Sequence, residues 1–117
     1  MIEHRISIGL VIEHDDGIME IVVDGGINVD IDMVREMLAK LESIQQGRFR
    51  ILVNRQNSYS ISFAAQKLLS DYPAAHAVAV LTHSRLGMMF ARFIPKTRYN
   101  LKVFMDRDAA LYWLRNA

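Results

Sequence analysis

A chain of 117 residues, 51% hydrophobic and 23% charged, is long enough for one modest core, and this composition excludes disorder, which needs low hydrophobicity and high net charge. Its lack of cysteine excludes a disulfide framework and a thiolate metal site, and is typical of a reducing compartment. No signal-peptide pattern opens the chain, and no apolar run approaches the ~20 residues of a spanning helix. We therefore expect a single cytoplasmic domain, residues 1–117, that does not span a membrane.

The formal net charge of +1 conceals two halves of opposite sign. Residues 1–46 carry 3 basic and 10 acidic side chains, whereas residues 47–117 carry 11 basic and 3 acidic ones. This asymmetry favours halves that complement each other within the fold or across a homodimer. An anionic partner for the basic half is the alternative.

The first half of the chain predicts two strands and a helix. Apolar residues alternate over residues 6–12, which predicts a strand, and Asp15-Asp16-Gly17 then predicts a tight hairpin turn before a second strand over residues 18–23. Asp30 or Asp32 can cap the helix, which should end within a residue or two of Gly47. Its inward residues recur at helical spacing: Val34, Met37, Leu38, Leu41 and Ile44.

The second half predicts alternating strands and helices. Short apolar runs at residues 51–53 and 77–81 indicate buried strands, and residues 101–105 indicate a last strand. Helices are predicted over residues 61–72, from Ser84 to Pro95, and after Asp106. The inward residues of these helices are, in order, Ile61, Ala64, Ala65, Leu68 and Leu69; Leu86, Met89, Phe90, Phe93 and Ile94; and Ala110, Leu111, Trp113 and Leu114.

The predicted order is β-β-α-β-α-β-α-β-α. Alternation of strands and helices requires right-handed crossovers and a largely parallel sheet, so we expect an α/β fold with a mixed, mostly parallel sheet of about five strands and four helices. In such sheets ligands and partners meet the loops at the carboxyl ends of the strands. Those loops are residues 55–60 and 82–85.

Three segments of this sequence resemble a known family. RILVN leads into a serine-rich turn, AVAVLTHSRLGMMFARF reads as strand then helix, and KVFMDRDAALYWLR ends in Ala-x-x-Trp-Leu after acidic residues. Together with the element order, they resemble the STAS-like domain of bacterial anti-sigma-factor antagonists and their uncharacterised single-domain relatives. The resemblance implies a regulatory, non-enzymatic module that binds an unidentified protein in bacteria.

The same resemblance marks the residues that we call the serine turn, residues 55–62. In the antagonists, this loop carries a serine, usually between Asp and Gly, that a partner kinase phosphorylates. Here that Asp is absent, and Tyr59, Ile61 and Phe63 stand where small residues are expected. Two hypotheses follow: a phosphorylated or partner-binding loop, or a serine that only caps the next helix. The residues concerned are Arg55, Asn57, Ser58, Ser60 and Ser62.

The remaining motifs predict no catalytic residue, cofactor or metal. His4, His14, His76 and His83 lack the spacing that places two ligands on one face, and neither GxSxG nor a phosphate-binding loop occurs. The second loop still merits attention as a candidate site, because His83 follows a predicted strand. Its residues are Thr82, His83, Ser84 and Arg85. An enzyme would need a pocket where His83 and Arg55 converge.

The third predicted helix suggests an alternative function. Its apolar residues are accompanied by Arg85, Arg92, Lys96 and Arg98, and a basic amphipathic helix binds anionic membrane surfaces or shelters an acyl chain. STAS-like folds also resemble the CRAL-TRIO lipid-binding domains superficially. A carrier of small hydrophobic ligands or lipids is therefore the alternative to a protein-binding module. Nucleic-acid binding is not expected, since the basic residues lack interleaved aromatics on a strand face and no recognition-helix motif precedes them.

Overall fold

The computed structural model describes residues 1–90 and 96–117. Its strands are β1 (Ile2–Ile6), β2 (Gly9–Glu13), β3 (Ile18–Val23), β4 (Asn28–Val29), β5 (Phe49–Arg55), β6 (Ser60–Ile61), β7 (Ala75–Thr82) and β8 (Asn100–Phe104). Its helices are α1 (Ile31–Ile44), α2 (Phe63–Ser70), α3 (Arg85–Phe90) and α4 (Arg107–Arg115). None of these helices is both long and apolar enough to cross a membrane.

Within the described residues, the main sheet has six strands in the order β1-β2-β3-β5-β7-β8. The pairs β1–β2 and β2–β3 are antiparallel, while β3–β5, β5–β7 and β7–β8 are parallel. The predicted mixed α/β fold with four helices is confirmed. The predicted count of about five strands is corrected to six, and β4 and β6 add a separate two-stranded parallel sheet.

The predicted first strand over residues 6–12 is wrong, because the chain turns back in its middle. Ile6 pairs with Gly9, so Ser7 and Ile8 form the turn between β1 and β2. The alternating pattern continues through this turn because Ile8 is buried there. Gly9 is required by packing, since a Cβ at this position would lie 1.9 Å from the carbonyl oxygen of Val22.

The predicted hairpin and first helix are confirmed. Gly17 has a φ of 79° in the turn before β3, and every residue of β3 is buried. Asp30 is the N-cap of α1 and accepts a hydrogen bond from the backbone N–H of Met33 at 2.9 Å. The helix ends at Ile44, three residues before Gly47.

Each face of the sheet has its own core. The helices α1 and α2 cover one face, and α4 covers the other. Successive residues of β5 divide between them, with Ile51 in the α1/α2 core and Leu52 in the α4 core. On the α4 side, the rings of Phe104 and Trp113 lie 5.7 Å apart, and Leu114 is fully buried, as the terminal-helix pattern predicts.

The structure corrects two of the predicted inner stripes. The helix α2 begins at Phe63 rather than at residue 61, and Ala64 is exposed. In α3, Leu86 and Met89 are 59% and 62% exposed, because this short helix approaches β7 through the small residue Gly87 instead. The predicted Phe93, Ile94 and Pro95, and the side chain of Phe90, lie outside the described residues.

Candidate functional site

The two loops predicted from the sequence meet at one cleft. Arg55 at the end of β5 is in register with Thr82 at the end of β7, so the chain leaves both strands at neighbouring points of the same sheet edge. The cleft between them has a volume of about 250 Å³. Its walls are formed by Arg55, Asn57, Ser58, Tyr59, Val80, Thr82, Ser84, Leu86, Gly87 and Val103.

The positively charged side chain of Arg55 forms part of one wall of this cleft. The Arg55 guanidinium lies over the ring of Tyr59, 4.7 Å from its centroid, in cation–π contact. Burial raises the pKa of the Tyr59 phenol, and the nearby charge of Arg55 offsets part of that rise. The cleft therefore presents a positive charge that is held in place by an aromatic ring.

The serine turn is tied to the end of β3 and to the segment that follows it by several hydrogen bonds. The Asn57 side chain donates to the carbonyl of Val23 at 3.0 Å, and the N–H of Gly26 donates to the carbonyl of Ser58 at 2.8 Å. The short strand β6 then pairs with β4, with Ser60 opposite Asn28. The turn is thus held at both of its ends.

The three predicted serines have different surroundings. Ser62 is the N-cap of α2, and its hydroxyl accepts a hydrogen bond from the backbone N–H of Ala65 at 3.1 Å. The Ser60 hydroxyl donates to the side-chain oxygen of Asn28. Ser58 is exposed and lines the cleft. The capping role predicted for Ser60 or Ser62 belongs to Ser62.

The residues of the second loop divide between the two sides of the sheet. Thr82 and Ser84 line the cleft, and the Ser84 hydroxyl accepts a hydrogen bond from the N–H of Gly87 at 3.0 Å. His83 bonds instead, through its ring Nε2, to the side-chain oxygen of Asn54 at 2.9 Å. Arg85 is exposed and is not among the residues that line the cleft.

A second polar cluster, which the sequence analysis missed, lies on the α4 side of the sheet. Glu20 on β3 is at its centre, with only 3% of its side chain exposed. Both of its oxygens bind the Arg107 guanidinium, at 2.5 and 2.9 Å. We call this cluster the Glu20 network; its members are His14, Glu20, Asn54, His83 and Arg107.

The remaining bonds of the Glu20 network saturate the carboxylate. His14 Nε2 lies 2.9 Å from one oxygen, and the Asn54 amide donates to the other at 2.9 Å. Burial on its own raises the pKa of Glu20, but the hydrogen bonds from Arg107, Asn54 and His14 outweigh it and lower the pKa to about 2. The sequence signal for this cluster is a single glutamate inside the apolar strand IMEIVV, since buried carboxylates are almost always paired.

The cleft and the Glu20 network do not form one pocket. Arg55 is in the cleft, whereas His83 bonds to Asn54 on the α4 side, so the two residues that an enzyme hypothesis would bring together are directed to different sides of the sheet. Among the described residues, no group of three or more His, Cys, Asp or Glu side chains is arranged to hold a metal ion.

A third feature is an apolar cavity of about 110 Å³ between the sheet and the helices α1 and α2. Its wall is mostly aliphatic, and the hydroxyl of Tyr99 at its border donates to the carbonyl of Leu69 at 2.8 Å. Pockets for drug-sized ligands measure ~300–1,000 Å³, and an engineered cavity of ~150 Å³ holds benzene. The cavity is therefore too small for an acyl chain.

Comparison with known proteins places this mixed α/β chain in a family. Residues 11–117 match the family described as Domain of unknown function (DUF7793), and the chain belongs to that family. No curated protein matches the sequence. Among solved structures, it is similar to the crystal structure, at 2.25 Å resolution, of an uncharacterized protein from the DUF3478 family with a SpoIIAA-like fold from Shewanella loihica PV-4. The two are 19% identical, with a TM-score of 0.49, over 96% of this chain and 90% of that chain.

Proposed function

We propose that this chain is a non-enzymatic protein–protein interaction module of STAS-like type, with a regulatory role in the bacterial cytoplasm, and that the cleft is its binding site. The observation that carries the proposal is the meeting of two loops, each singled out from the sequence, in one cleft beside exposed apolar side chains. In parallel sheets of this kind, partners meet the carboxyl ends of the strands.

The chemistry of the cleft indicates the kind of partner surface that it fits. Leu86 at its wall is 59% exposed, and Met88 and Met89 of the same helix are 36% and 62% exposed. Exposed apolar groups beside polar ones are typical of interfaces, and methionine adapts to varied partners. Arg55 and the hydroxyls of Ser58 and Thr82 supply the polar part. We infer a partner segment with an apolar side chain next to a carboxylate.

Phosphorylation, if this module uses it, is assigned to Ser58. Of the three serines in the turn, Ser62 is occupied as a helix cap and Ser60 bonds to Asn28, whereas Ser58 is exposed in the cleft. A phosphate there would add a charge of up to about −2 to the cleft that holds Arg55. It would therefore cancel the positive charge that attracts a carboxylate.

The test is affinity capture from the source cell, with cross-linking and mass spectrometry, using matched surface variants. Leu86→Asp places a charge at the cleft, and Tyr112→Asp places the same charge on α4, where Tyr112 is 71% exposed. We expect the first variant to lose a partner that the second retains, and Ser58→Asp to weaken capture where Ser62→Ala does not. Equal capture by both charge variants would refute the cleft as the binding site.

A second function has one observation in its favour. The exposed Leu86, Met88 and Met89 lie on the same short helix as the exposed Arg85, which is the composition of a membrane-surface binder. The size of the apolar cavity argues against a lipid carrier but not against surface binding. Sedimentation with vesicles of anionic and of neutral phospholipid separates the two functions: a membrane binder sediments with anionic vesicles and loses this with Leu86→Asp, whereas a protein module stays in solution.

A further inference from the structure

We propose that the outer edge of β1 is a self-association surface, where a second copy of this chain pairs antiparallel so that two six-stranded sheets join into one. The proposal is independent of the cleft. Among the described strands, β1 pairs only with β2, so one of its sides has no backbone partner. Four of its five residues are exposed or half-buried, which leaves this edge open.

The hydrogen bonds between β2 and β3 show which backbone groups of β1 point away from the sheet. The carbonyl of Ile8 and the N–H of His14 bond to the segment that contains β3, so the even-numbered residues of β2 bond towards β3 and the odd-numbered ones towards β1. The odd-numbered residues of β2 are opposite Ile2, His4 and Ile6. The backbone groups of Glu3 and Arg5 therefore point away from the sheet.

This pattern is complementary to itself. In an antiparallel pairing with a two-fold axis at His4, Glu3 of one copy stands opposite Arg5 of the other, and Arg5 opposite Glu3. Each pair exchanges two backbone hydrogen bonds through groups that are free in the single chain. Opposite charges directly across strands stabilise the pairing. Glu3 and Arg5 thus supply both the backbone hydrogen bonds and the opposite charges of the proposed pairing.

The other side chains of β1 fit the same register. Ile2, which is 59% exposed, comes opposite Ile6 of the second copy. The two His4 side chains meet at the axis, and each is bonded to Glu13 of its own chain at 2.5 Å, which supplies a counter-charge when the ring is protonated. Arg5 already contacts Asp24 but remains 59% exposed, and a guanidinium has donors for a second carboxylate.

The opposite edge of the sheet lacks this property. An antiparallel pairing of β8 with its own copy about the middle of the strand would place Lys102 opposite Lys102, and like charges directly across strands destabilise a sheet. The two edges therefore provide an internal control.

The test is sedimentation equilibrium of the full chain over a range of concentrations, with charge variants at both edges. We expect a wild-type dimer, and we expect Glu3→Arg and Arg5→Glu each to weaken dimerisation about tenfold or more, because each converts two attractive pairs into repulsive ones. The double variant Glu3→Arg/Arg5→Glu should restore the dimer, and Lys102→Glu should leave it unchanged.

Mixing the two single charge variants tests the proposed pairing of Glu3 with Arg5 more directly. Glu3→Arg and Arg5→Glu, which each dimerise weakly alone, should form a tighter heterodimer with each other, since every cross-strand pair is then of opposite charge. Glu3→Pro, which removes an outward N–H together with the carboxylate, should abolish dimers, while the monomer still unfolds in one cooperative transition. A wild type that stays monomeric up to about 1 mM, where even a weak complex would be populated, would overturn the proposal. So would a dimer that none of the β1 variants affects, or the absence of a heterodimer on mixing.

Discussion

The cleft and the Glu20 network lie on opposite sides of the same sheet, and their polar groups are used differently. In the Glu20 network, a carboxylate with 3% exposure accepts from an arginine, an amide and a histidine. In the cleft, Arg55 and Ser58 are exposed. A closed network satisfies itself and stabilises the fold, whereas an open one keeps its bonding capacity for a partner.

Removal of the carboxylate at the centre of the Glu20 network should have the largest effect. We expect Glu20→Ala to lower the free energy of unfolding by about 3 kcal/mol, because Arg107 and Asn54 then lose a shared buried acceptor. The value lies at the low end of the usual range because water reaches Arg107, which is 42% exposed. Urea denaturation measures it. Arg55→Ala in the cleft is the control, with an expected change within ~0.5 kcal/mol, and equal losses would contradict the comparison.

The contribution of Glu20 should also appear in the wild-type protein, as a dependence of the free energy of unfolding on pH. The folded pKa of Glu20, about 2, is below its ordinary value of 4.5, so the ionised carboxylate stabilises the fold above pH 4.5. This stability is lost as the pH falls through 4.5 towards 2, by about 3 kcal/mol. Urea denaturation between pH 5 and pH 2 should show a steeper loss in the wild type than in Glu20→Gln. Identical slopes would show that Glu20 does not titrate in this way.

Adding a methyl group at Gly87, where α3 approaches β7, should disturb the cleft and leave the Glu20 network intact. In Gly87→Ala, the new Cβ would lie 1.9 Å from Thr82 Oγ1, so α3 must move, and we expect a loss of about 1–2 kcal/mol. Thr82→Ala removes that oxygen and should recover part of the loss, as a double-mutant cycle would measure. Purely additive effects would mean that the contact does not set the position of α3.

The smallest expected effect is a difference in stability between alanine variants of two serines in the serine turn, Ser62 and Ser58. Ser62→Ala removes the N-cap of α2 and should cost about 1 kcal/mol, whereas Ser58→Ala should change stability by less than ~0.5 kcal/mol. Thermal unfolding of the two variants measures the difference. If Ser58→Ala were the more destabilising change, Ser58 would have a structural role and would be a poor candidate for regulation.

Periodicity alone predicts most of the fold, because helix and strand patterns are local. Residues 18–23, 51–53 and 77–81 lie in strands as predicted, and Asp30 and Asp106 cap their helices. The failure at residues 6–12 has a physical cause: an alternating pattern does not reveal a turn when a turn residue, Ile8, is itself buried. The exposed stripe of α3 has another cause, since helical spacing shows which residues share a face but not whether the core covers it.

The candidate site was predictable only in part. The rule that loops at the carboxyl ends of parallel strands gather at one edge located the cleft, because it depends on topology. It does not fix the side to which a side chain points, and His83 is therefore separated from Thr82 and Ser84. The Glu20 network depends on a bond between two residues, Glu20 and Arg107, that are 87 positions apart, so no local pattern contains it.

The small sheet of β4 and β6 has a consequence for binding strength. Together with the Asn57 side chain, it fixes the serine turn against residues 23–29 by hydrogen bonds within the chain itself. Ordering a flexible loop on association costs conformational entropy, and a preorganised one avoids much of that cost. Loosening the serine turn by Asn57→Ala should therefore weaken the proposed interaction mainly through entropy.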